Sequence, residues 1–299
     1  MSNAIGSLAL EHPVLNGSGT FDAIAARQAF GDALMDDFPF SAFVSKTITP
    51  EPRAGNPPPR LYETPSGMIN SIGLPNKGLD GFLEDDLPQL SELPVPLIVS
   101  VMATDREGFA RLVDGVGGRD EVAAIELNVS CPNVKSGLIV GEQPAETHAL
   151  VTALRERTGK PLIVKLTPNT ADPAAVAAAA EEAGADAVSL INTLRAAALA
   201  PGSAEAWLGA GSGGLSGPAV RAIALEQVRR VAAAVSIAVI GMGGIETAGD
   251  AAEFMASGAD LVAVGTANFR DPAAGKHVRD GLENALGEPS TLHLNLRSN

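Results

Sequence analysis

The chain has 299 residues, of which 45% are hydrophobic and only 4% aromatic, and its formal net charge is −14. This length accommodates one large barrel or two ordinary domains, and the acidic balance argues against nucleic acids and anionic membrane surfaces as partners. The single cysteine excludes an intrachain disulfide. Because the N-terminus lacks a signal-peptide pattern and no apolar stretch reaches transmembrane length, we expect a cytoplasmic protein.

Short Val- and Ile-rich runs alternate with longer Ala-, Leu- and Glu-rich runs along the chain. The short runs are continuously apolar, which is typical of strands that are buried on both faces. They predict strands at 14–16, 42–46, 97–101, 123–128, 162–166, 187–191, 238–240 and 261–264. The longer runs predict helices, for example at 22–30, 145–158, 173–183, 218–234 and 247–257. About eight such units predict an α/β fold, a (β/α)8 TIM barrel, with residues 1–299 as a single domain.

Two intervals, 49–93 and 194–216, are too long to be simple connections between a strand and a helix. Long insertions in a compact barrel are usually lids or binding loops. We therefore expect active-site insertions, although the second interval is also compatible with a tolerated surface excursion.

Polar residues and glycines follow the predicted strands at the ends where the active sites of such barrels form. They are Ser18 and Gly19, Lys46 and Thr47, Ser100, Asn128, Lys165, Asn192 and Thr193, Gly243 and Gly244, and Gly265 and Thr266. A lysine in a strand is costly to bury unless an anionic group meets it. Lys46 and Lys165 therefore indicate either a bound anionic ligand or two structural ion pairs.

Glycines after the last two strands predict a phosphate site. Gly243, Gly244 and Gly265 let backbone N–H groups approach an anion at the position where these barrels usually bind phosphate. Ser216 and Gly217 precede a predicted helix and could supply further donors. A phosphorylated cofactor between two lysines and several asparagines points to a flavin.

Cys131 follows the fourth strand, among polar neighbours and directly before a proline. A lone cysteine can be a structural hydrophobe. Here the polar surroundings and the proline favour an accessible active-site loop instead.

The chain resembles the class 1 dihydroorotate dehydrogenases over nearly its whole length. The resemblance depends on KTIT (46–49), GNPPPR (55–60), ETPSGMINSIGL (63–74), NVSCPN (128–133), IVKL (163–166), INT (191–193), GGLSG (213–217) and the glycines at 243–244. The residues of GNPPPR and ETPSGMINSIGL, the second and third of these motifs, are more similar to subclass 1B than to subclass 1A. One departure is Ser100, where the family often has asparagine, and no role carries over to 194–213.

The resemblance implies oxidation of (S)-dihydroorotate to orotate in pyrimidine biosynthesis. FMN would be the cofactor and Cys131 the base that removes the C5 proton, while hydride passes from C6 to flavin N5. The implied substrate-binding residues are Lys46, Asn70, Ile72, Gly73, Leu74, Asn128, Asn192 and Thr193. The implied cofactor-binding residues are Ser18, Gly19, Lys46, Thr47, Ser100, Asn128, Lys165, Ile191, Ser216, Gly217, Gly243, Gly244, Gly265 and Thr266. No metal site is expected.

In subclass 1B the electrons pass to NAD through a separate subunit that holds an iron–sulfur cluster and FAD. One cysteine cannot ligate a four-cysteine cluster, so the resemblance implies such a partner beside a homodimeric core. The alternatives are a fumarate-reducing 1A enzyme and the FMN barrel of a dihydropyrimidine dehydrogenase. A non-redox barrel that uses Lys165 as a Schiff base and an inactive flavin-binding subunit also remain open.

Overall fold

A computed structural model describes residues 3–130 and 140–287. The strands are Ala4–Ile5 (β1), Leu8–Ala9 (β2), Val14–Asn16 (β3), Phe43–Val44 (β4), Leu61–Thr64 (β5), Gly67–Asn70 (β6), Leu97–Val101 (β7), Val122–Asn128 (β8), Leu162–Lys165 (β9), Ala187–Leu190 (β10), Leu194–Ala196 (β11), Gly213–Ser216 (β12), Ala238–Met242 (β13) and Leu261–Val264 (β14). The helices are Ala23–Phe30 (α1), Asp32–Asp36 (α2), Gly78–Gly81 (α3), Leu87–Leu90 (α4), Arg106–Gly117 (α5), Pro144–Arg155 (α6), Pro173–Glu182 (α7), Arg221–Ala232 (α8), Ala248–Ala256 (α9) and Ala274–Gly287 (α10).

Eight parallel strands form the central sheet, in the order β3-β14-β13-β10-β9-β8-β7-β4. The prediction of a (β/α)8 barrel is therefore confirmed, and all eight predicted strands are present with small differences in their bounds. None of the helices in the described part of the chain is long and apolar enough to cross a membrane.

The side chain of Asn16 joins the two end strands of this order, β3 and β4. Its Nδ2 donates to the carbonyl of Val44 at 2.8 Å, and its Oδ1 accepts from the N–H of Val44 at 2.8 Å. A backbone bond from Ser41 to the carbonyl of Val14, at 3.0 Å, lies nearby. The Asn16 carboxamide thus takes the place of a backbone peptide in the ladder and completes the ring of strands.

The barrel interior has an apolar layer and a polar layer above it. Alternate strand residues such as Ile98, Ala124 and Ile163 form a buried cluster, to which Ile5 of β1 and Leu10, the residue after β2, also belong. Because side chains alternate along a strand, the next inward positions toward the carboxyl ends are Ser100, Glu126, Lys165 and Ser189, all of them buried. The remaining strand residues pack against the helices in the larger core cluster.

The two long insertions form one antiparallel sheet, in the order β11-β12-β6-β5. Its register places Gly214 opposite Asn70. This pairing of 61–70 with 194–216 explains why both intervals are too long for simple connections. The second interval is therefore part of a hydrogen-bonded sheet and is not a loop that only extends over the surface.

Candidate active site

A chain of hydroxyl groups runs under one side of the barrel mouth, from β3 across to β7. The Ser18 hydroxyl donates to the carbonyl of Ser45 at 2.8 Å and lies 3.1 Å from Oγ1 of Thr47. Thr47 in turn lies 2.9 Å from Oγ of Ser100, which donates to Oε1 of Glu126 at 3.0 Å. Three predicted cofactor-binding hydroxyls are therefore connected to one another, and the proton of Ser100 points to a buried carboxylate.

Lys165 and Glu126 form a buried ion pair in the polar layer of the barrel. The Lys165 Nζ lies 3.8 Å from Oε1 of Glu126, and the other carboxylate oxygen accepts from Ser189 at 3.1 Å. The lysine is 6% exposed and the glutamate 2%. Lys165 thus forms a structural ion pair, which was one of the two alternatives for this lysine. It does so at the position where the sequence also predicts contact with the cofactor.

Amide side chains converge above this layer. Asn192 donates to Ser130 at 2.8 Å and to Oδ1 of Asn128 at 3.4 Å, while its own Oδ1 accepts from the backbone of Thr193 at 2.8 Å. Asn128 is opposite Lys165 in the register of β8 with β9. Three predicted substrate-binding residues therefore lie together at the carboxyl ends of the strands, and one of them, Asn128, is the register partner of the buried lysine.

The antiparallel sheet brings Asn70 to the same region. Its Nδ2 donates to the carbonyl of Gly214 at 3.3 Å. A Cβ on Gly214 would overlap the Thr193 side chain, so this glycine lets the insertion pack directly on Thr193. Asn169 holds the Thr193 segment from below by donating to the carbonyl of Thr193 at 3.1 Å and accepting from Arg195 at 2.9 Å.

The segment Ile72, Gly73, Leu74 has unusual backbone angles. Gly73 has φ 76° and Leu74 has φ 52°, the one positive φ of a non-glycine residue in the described chain. Asn56 bonds to the carbonyl of Ile72 at 3.0 Å, and Asn76 donates to the carbonyl of Leu74 at 2.9 Å. A left-handed leucine is costly and is retained where surrounding bonds hold it, often at functional sites.

Lys46 lies in a cleft of about 1090 Å³ that is also lined by Gly19, Pro75 and Asn76, among others. The lysine and the residues that directly follow Leu74 therefore open onto the same space. Although the side chain is solvent-accessible, burial by the walls of the cleft lowers the pKa of Lys46, and the Asp22 carboxylate partly opposes that shift.

The glycines predicted to bind phosphate form one contiguous surface. A Cβ on Gly244 would lie 2.8 Å from the Gly217 carbonyl oxygen, and one on Gly217 would lie 3.5 Å from the Thr266 side chain. Gly217, Gly243 and Gly244 have φ values of 84°, 131° and 80°, where a side chain would be strained. The surface fits a phosphate because bare backbone can approach it and a helical segment begins at Pro218. Gly265 precedes the 3₁₀ helix Thr266–Phe269.

Two further predicted residues occupy supporting positions. Ile191 is 4% exposed and packs in the core behind Gly243. The Ser216 hydroxyl donates to the carbonyl of Met68 at 3.4 Å, within the antiparallel sheet. Cys131 lies outside the described residues, so its predicted role as the base stays a prediction.

Sequence reasoning missed several residues of the site. Glu126, Ser189 and Asn16 lie within predicted strands, and Ser130 and Asn169 follow strand ends. A charged or amide residue inside a continuously apolar strand was the available signal, since such a group is buried only with a partner. In the described part of the chain, no group of three or more His, Cys, Asp or Glu residues is arranged to hold a metal ion.

Comparisons with known proteins show a family match over nearly the whole chain. The family model described as Dihydroorotate dehydrogenase matches residues 1–286. The chain is 47% identical over 296 residues to the "Dihydroorotate dehydrogenase B (NAD(+)), catalytic subunit" of Desulforudis audaxviator, which covers 98% of this chain and 94% of the relative. It is 45% identical over 289 residues to the protein of the same name from Geotalea uraniireducens, with 96% and 93% covered.

A solved structure agrees with the sequence comparison. The DHODH of Eimeria tenella, crystallised in complex with ferulenol, superposes with a TM-score of 0.77 at 26% identity, and the match covers 96% of this chain and 84% of that one. The expected resemblance to dihydroorotate dehydrogenases is therefore confirmed, including its similarity to the B type. The chain belongs to the dihydroorotate dehydrogenase family.

Proposed function

We propose that this chain is the catalytic subunit of a B-type enzyme that oxidises (S)-dihydroorotate to orotate in pyrimidine biosynthesis, with FMN as its cofactor. Family membership supports the oxidoreductase activity. The observation that carries the assignment to this site is the convergence of Asn128, Asn192 and Thr193 at the strand ends, where Asn128 is the register partner of the buried Lys165. We take residues 1–299 as one FMN-binding domain.

The cofactor would lie across the barrel mouth. Gly217, Gly243, Gly244, Gly265 and Thr266 would hold its phosphate with backbone donors, and Lys165 would lie under its pyrimidine edge. Bound FMN would supply the hydride acceptor for C6 of the substrate. A fixed cation beside a ring that gains negative charge favours that gain without reorganisation, because the charge is already in position.

The remaining residues would bind and deprotonate the substrate. Asparagine offers both a donor and an acceptor, so Asn70, Asn128 and Asn192 suit the amide groups of a pyrimidine ring. Lys46 lines the cleft that Pro75 and Asn76 also line, and Lys46 together with the backbone of the preceding segment 72–74 would bind the substrate carboxylate. The Cys131 thiolate would take the C5 proton, since a thiolate near neutral pH is an effective base.

Electrons must then leave the chain. The relatives are named catalytic subunits of an NAD-linked enzyme, which supports a partner subunit. We propose that this partner carries an iron–sulfur cluster and FAD and that two copies of the chain form a homodimeric core. Phe30 and Phe269 line the cleft beside Lys46 and are 54% and 58% exposed. Large exposed aromatic side chains around a groove are typical of interaction surfaces, so they support a protein partner at this side of the barrel.

Steady-state assays with the isolated chain test the proposal. The purified protein should carry FMN, should be reduced by dihydroorotate, and should pass electrons poorly to both NAD and fumarate. Addition of a copurifying iron–sulfur flavoprotein should restore NAD reduction. Brisk fumarate reduction by the chain alone would indicate an A-type enzyme, and brisk NAD reduction would refute the need for a partner.

Two ligand controls separate the other candidates. Orotate should perturb the flavin spectrum whereas uracil should not, and the reverse would favour a dihydropyrimidine dehydrogenase barrel. A colourless protein that binds no added FMN would favour a non-redox barrel with Lys165 as a Schiff-base residue.

A further inference from the structure

Glu126 is a buried carboxylate with no task in the proposed reaction. Both its oxygens are engaged: Oε1 accepts from Ser100 at 3.0 Å and Oε2 accepts from Ser189 at 3.1 Å. These bonds come from the strands on either side of β8 and β9, so the carboxylate is fixed in orientation. Its nearest cation is the Lys165 ammonium, at 3.8 Å.

Stability alone does not explain this pair. The desolvation free energy of burying two charged side chains is unfavourable, and burying two well-packed apolar side chains has no such cost. Replacing a buried ion pair with apolar residues is therefore often neutral or stabilising. The layer immediately below shows that apolar residues fill this barrel without difficulty, since Ile98, Ala124 and Ile163 occupy the preceding inward positions of β7, β8 and β9. The charges are therefore best explained by what lies above them.

The layer above is the mouth of the barrel. Asn128, two residues after Glu126 on β8, is opposite Lys165 in the register. Any ring that contacts the amides of Asn128 and Asn192 lies within reach of the field of both buried charges. The carboxylate and the ammonium act on such a ring with opposite signs, and in the low-dielectric interior neither is strongly screened.

We propose that Glu126 is a positioning residue that fixes the ammonium group of Lys165 and offsets its charge, so that the pair sets the reduction potential of the bound flavin. This inference rests on the proposed function, because it requires FMN above Lys165. Reduced flavin carries more negative charge than oxidised flavin, so an uncompensated ammonium would raise the potential. Glu126 holds the potential lower, which keeps the reduced flavin able to pass its electrons onward.

The test is the midpoint potential of FMN bound to the full-length chain, titrated against reference dyes. Glu126→Gln keeps the shape but removes the charge. Its amide nitrogen donates where a carboxylate oxygen accepts, and the facing serine hydroxyl can turn to accept that bond. At a given potential it should raise the ratio of reduced to oxidised FMN by about tenfold or more, which is about 30 mV for a two-electron couple. Glu126→Asp keeps the charge and should stay close to the wild type.

Ser189→Ala is the matched control, because it removes a hydrogen bond to Glu126 but no charge. It should lower the thermal midpoint of the protein and leave the flavin potential close to that of the wild type. A merely structural role for Glu126 would instead give Glu126→Gln and Ser189→Ala the same effect on both measurements.

A readout without flavin supports the same reasoning. In the FMN-free chain, Glu126→Gln leaves Lys165 as a lone buried cation and should lower the thermal midpoint, and adding Lys165→Met should restore much of it. If Glu126→Gln does not fold, this neutral double variant carries the redox test. Its potential should fall by less than that of Lys165→Met alone, since both opposing charges are gone.

Three results would overturn the inference. A flavin potential in Glu126→Gln that equals or falls below the wild-type value would do so while leaving the proposed function intact. A double variant with a potential as low as that of Lys165→Met would do the same. A chain that binds no FMN would overturn the inference and the proposed function together.

Discussion

Replacing Asn16 with alanine should open the barrel between β3 and β4. Asn16 is 1% exposed, and its carboxamide satisfies both the N–H and the carbonyl of Val44 at 2.8 Å. Alanine would leave these two backbone groups without a partner inside the protein. Each buried unsatisfied group costs about 1–3 kcal/mol, so we expect a loss of about 2–6 kcal/mol against a typical total of roughly 5–15 kcal/mol.

The assay is urea denaturation followed by far-UV circular dichroism, with the free energy of unfolding obtained by linear extrapolation. Asn169→Ala is the matched control, because Asn169 also bonds one backbone carbonyl, at 3.1 Å, and one backbone N–H, at 2.9 Å. Asn169 is only half-buried, so water can replace those bonds and the loss should be about 1 kcal/mol. Equal losses in the two variants would refute the view that Asn16 closes the barrel.

Three further predictions concern the site. Gly214→Ala should displace Thr193, because the added Cβ overlaps its side chain, and the KM for dihydroorotate should rise about tenfold while FMN stays bound. The control Gly159→Ala, whose added Cβ would meet open space, should change neither the KM nor the FMN content. An unchanged KM in Gly214→Ala would argue against Thr193 as a substrate contact. Burial lowers the pKa of Lys46, and the ammonium exists only below that pKa. Affinity for the substrate carboxylate should therefore weaken at a lower pH than an ordinary lysine would allow, and a KM–pH profile should show this in the wild type but not in Lys46→Arg. Cys131→Ser should slow flavin reduction by about 10²–10⁴ in rapid-mixing experiments while FMN stays bound, and a normal rate would remove Cys131 from the role of base.

The sequence by itself determined the barrel and the order of its parts. Nearly continuous apolar runs such as 97–101 and 162–166 are typical of strands buried on both faces, and eight of them in alternation with helical runs leave few other folds. Polar residues at the ends of those runs identified the mouth, because parallel strands end at a common edge. Local signals of this kind depend only on neighbouring residues and can therefore be read along the chain.

The tertiary structure alone decided which polar groups meet. Glu126 and Lys165 are 39 residues apart by their numbers, and only the register of β8 with β9 brings their charges to 3.8 Å. The pairing of β6 with β12 likewise places Asn70 opposite Gly214, which neither segment encodes alone. In the sequence, Asn16 is an ordinary polar residue at the end of a strand, and its bonds to Val44 exist only because the ring of strands closes. These contacts depend on the stagger and closure of the barrel, which the whole chain sets and no local pattern records.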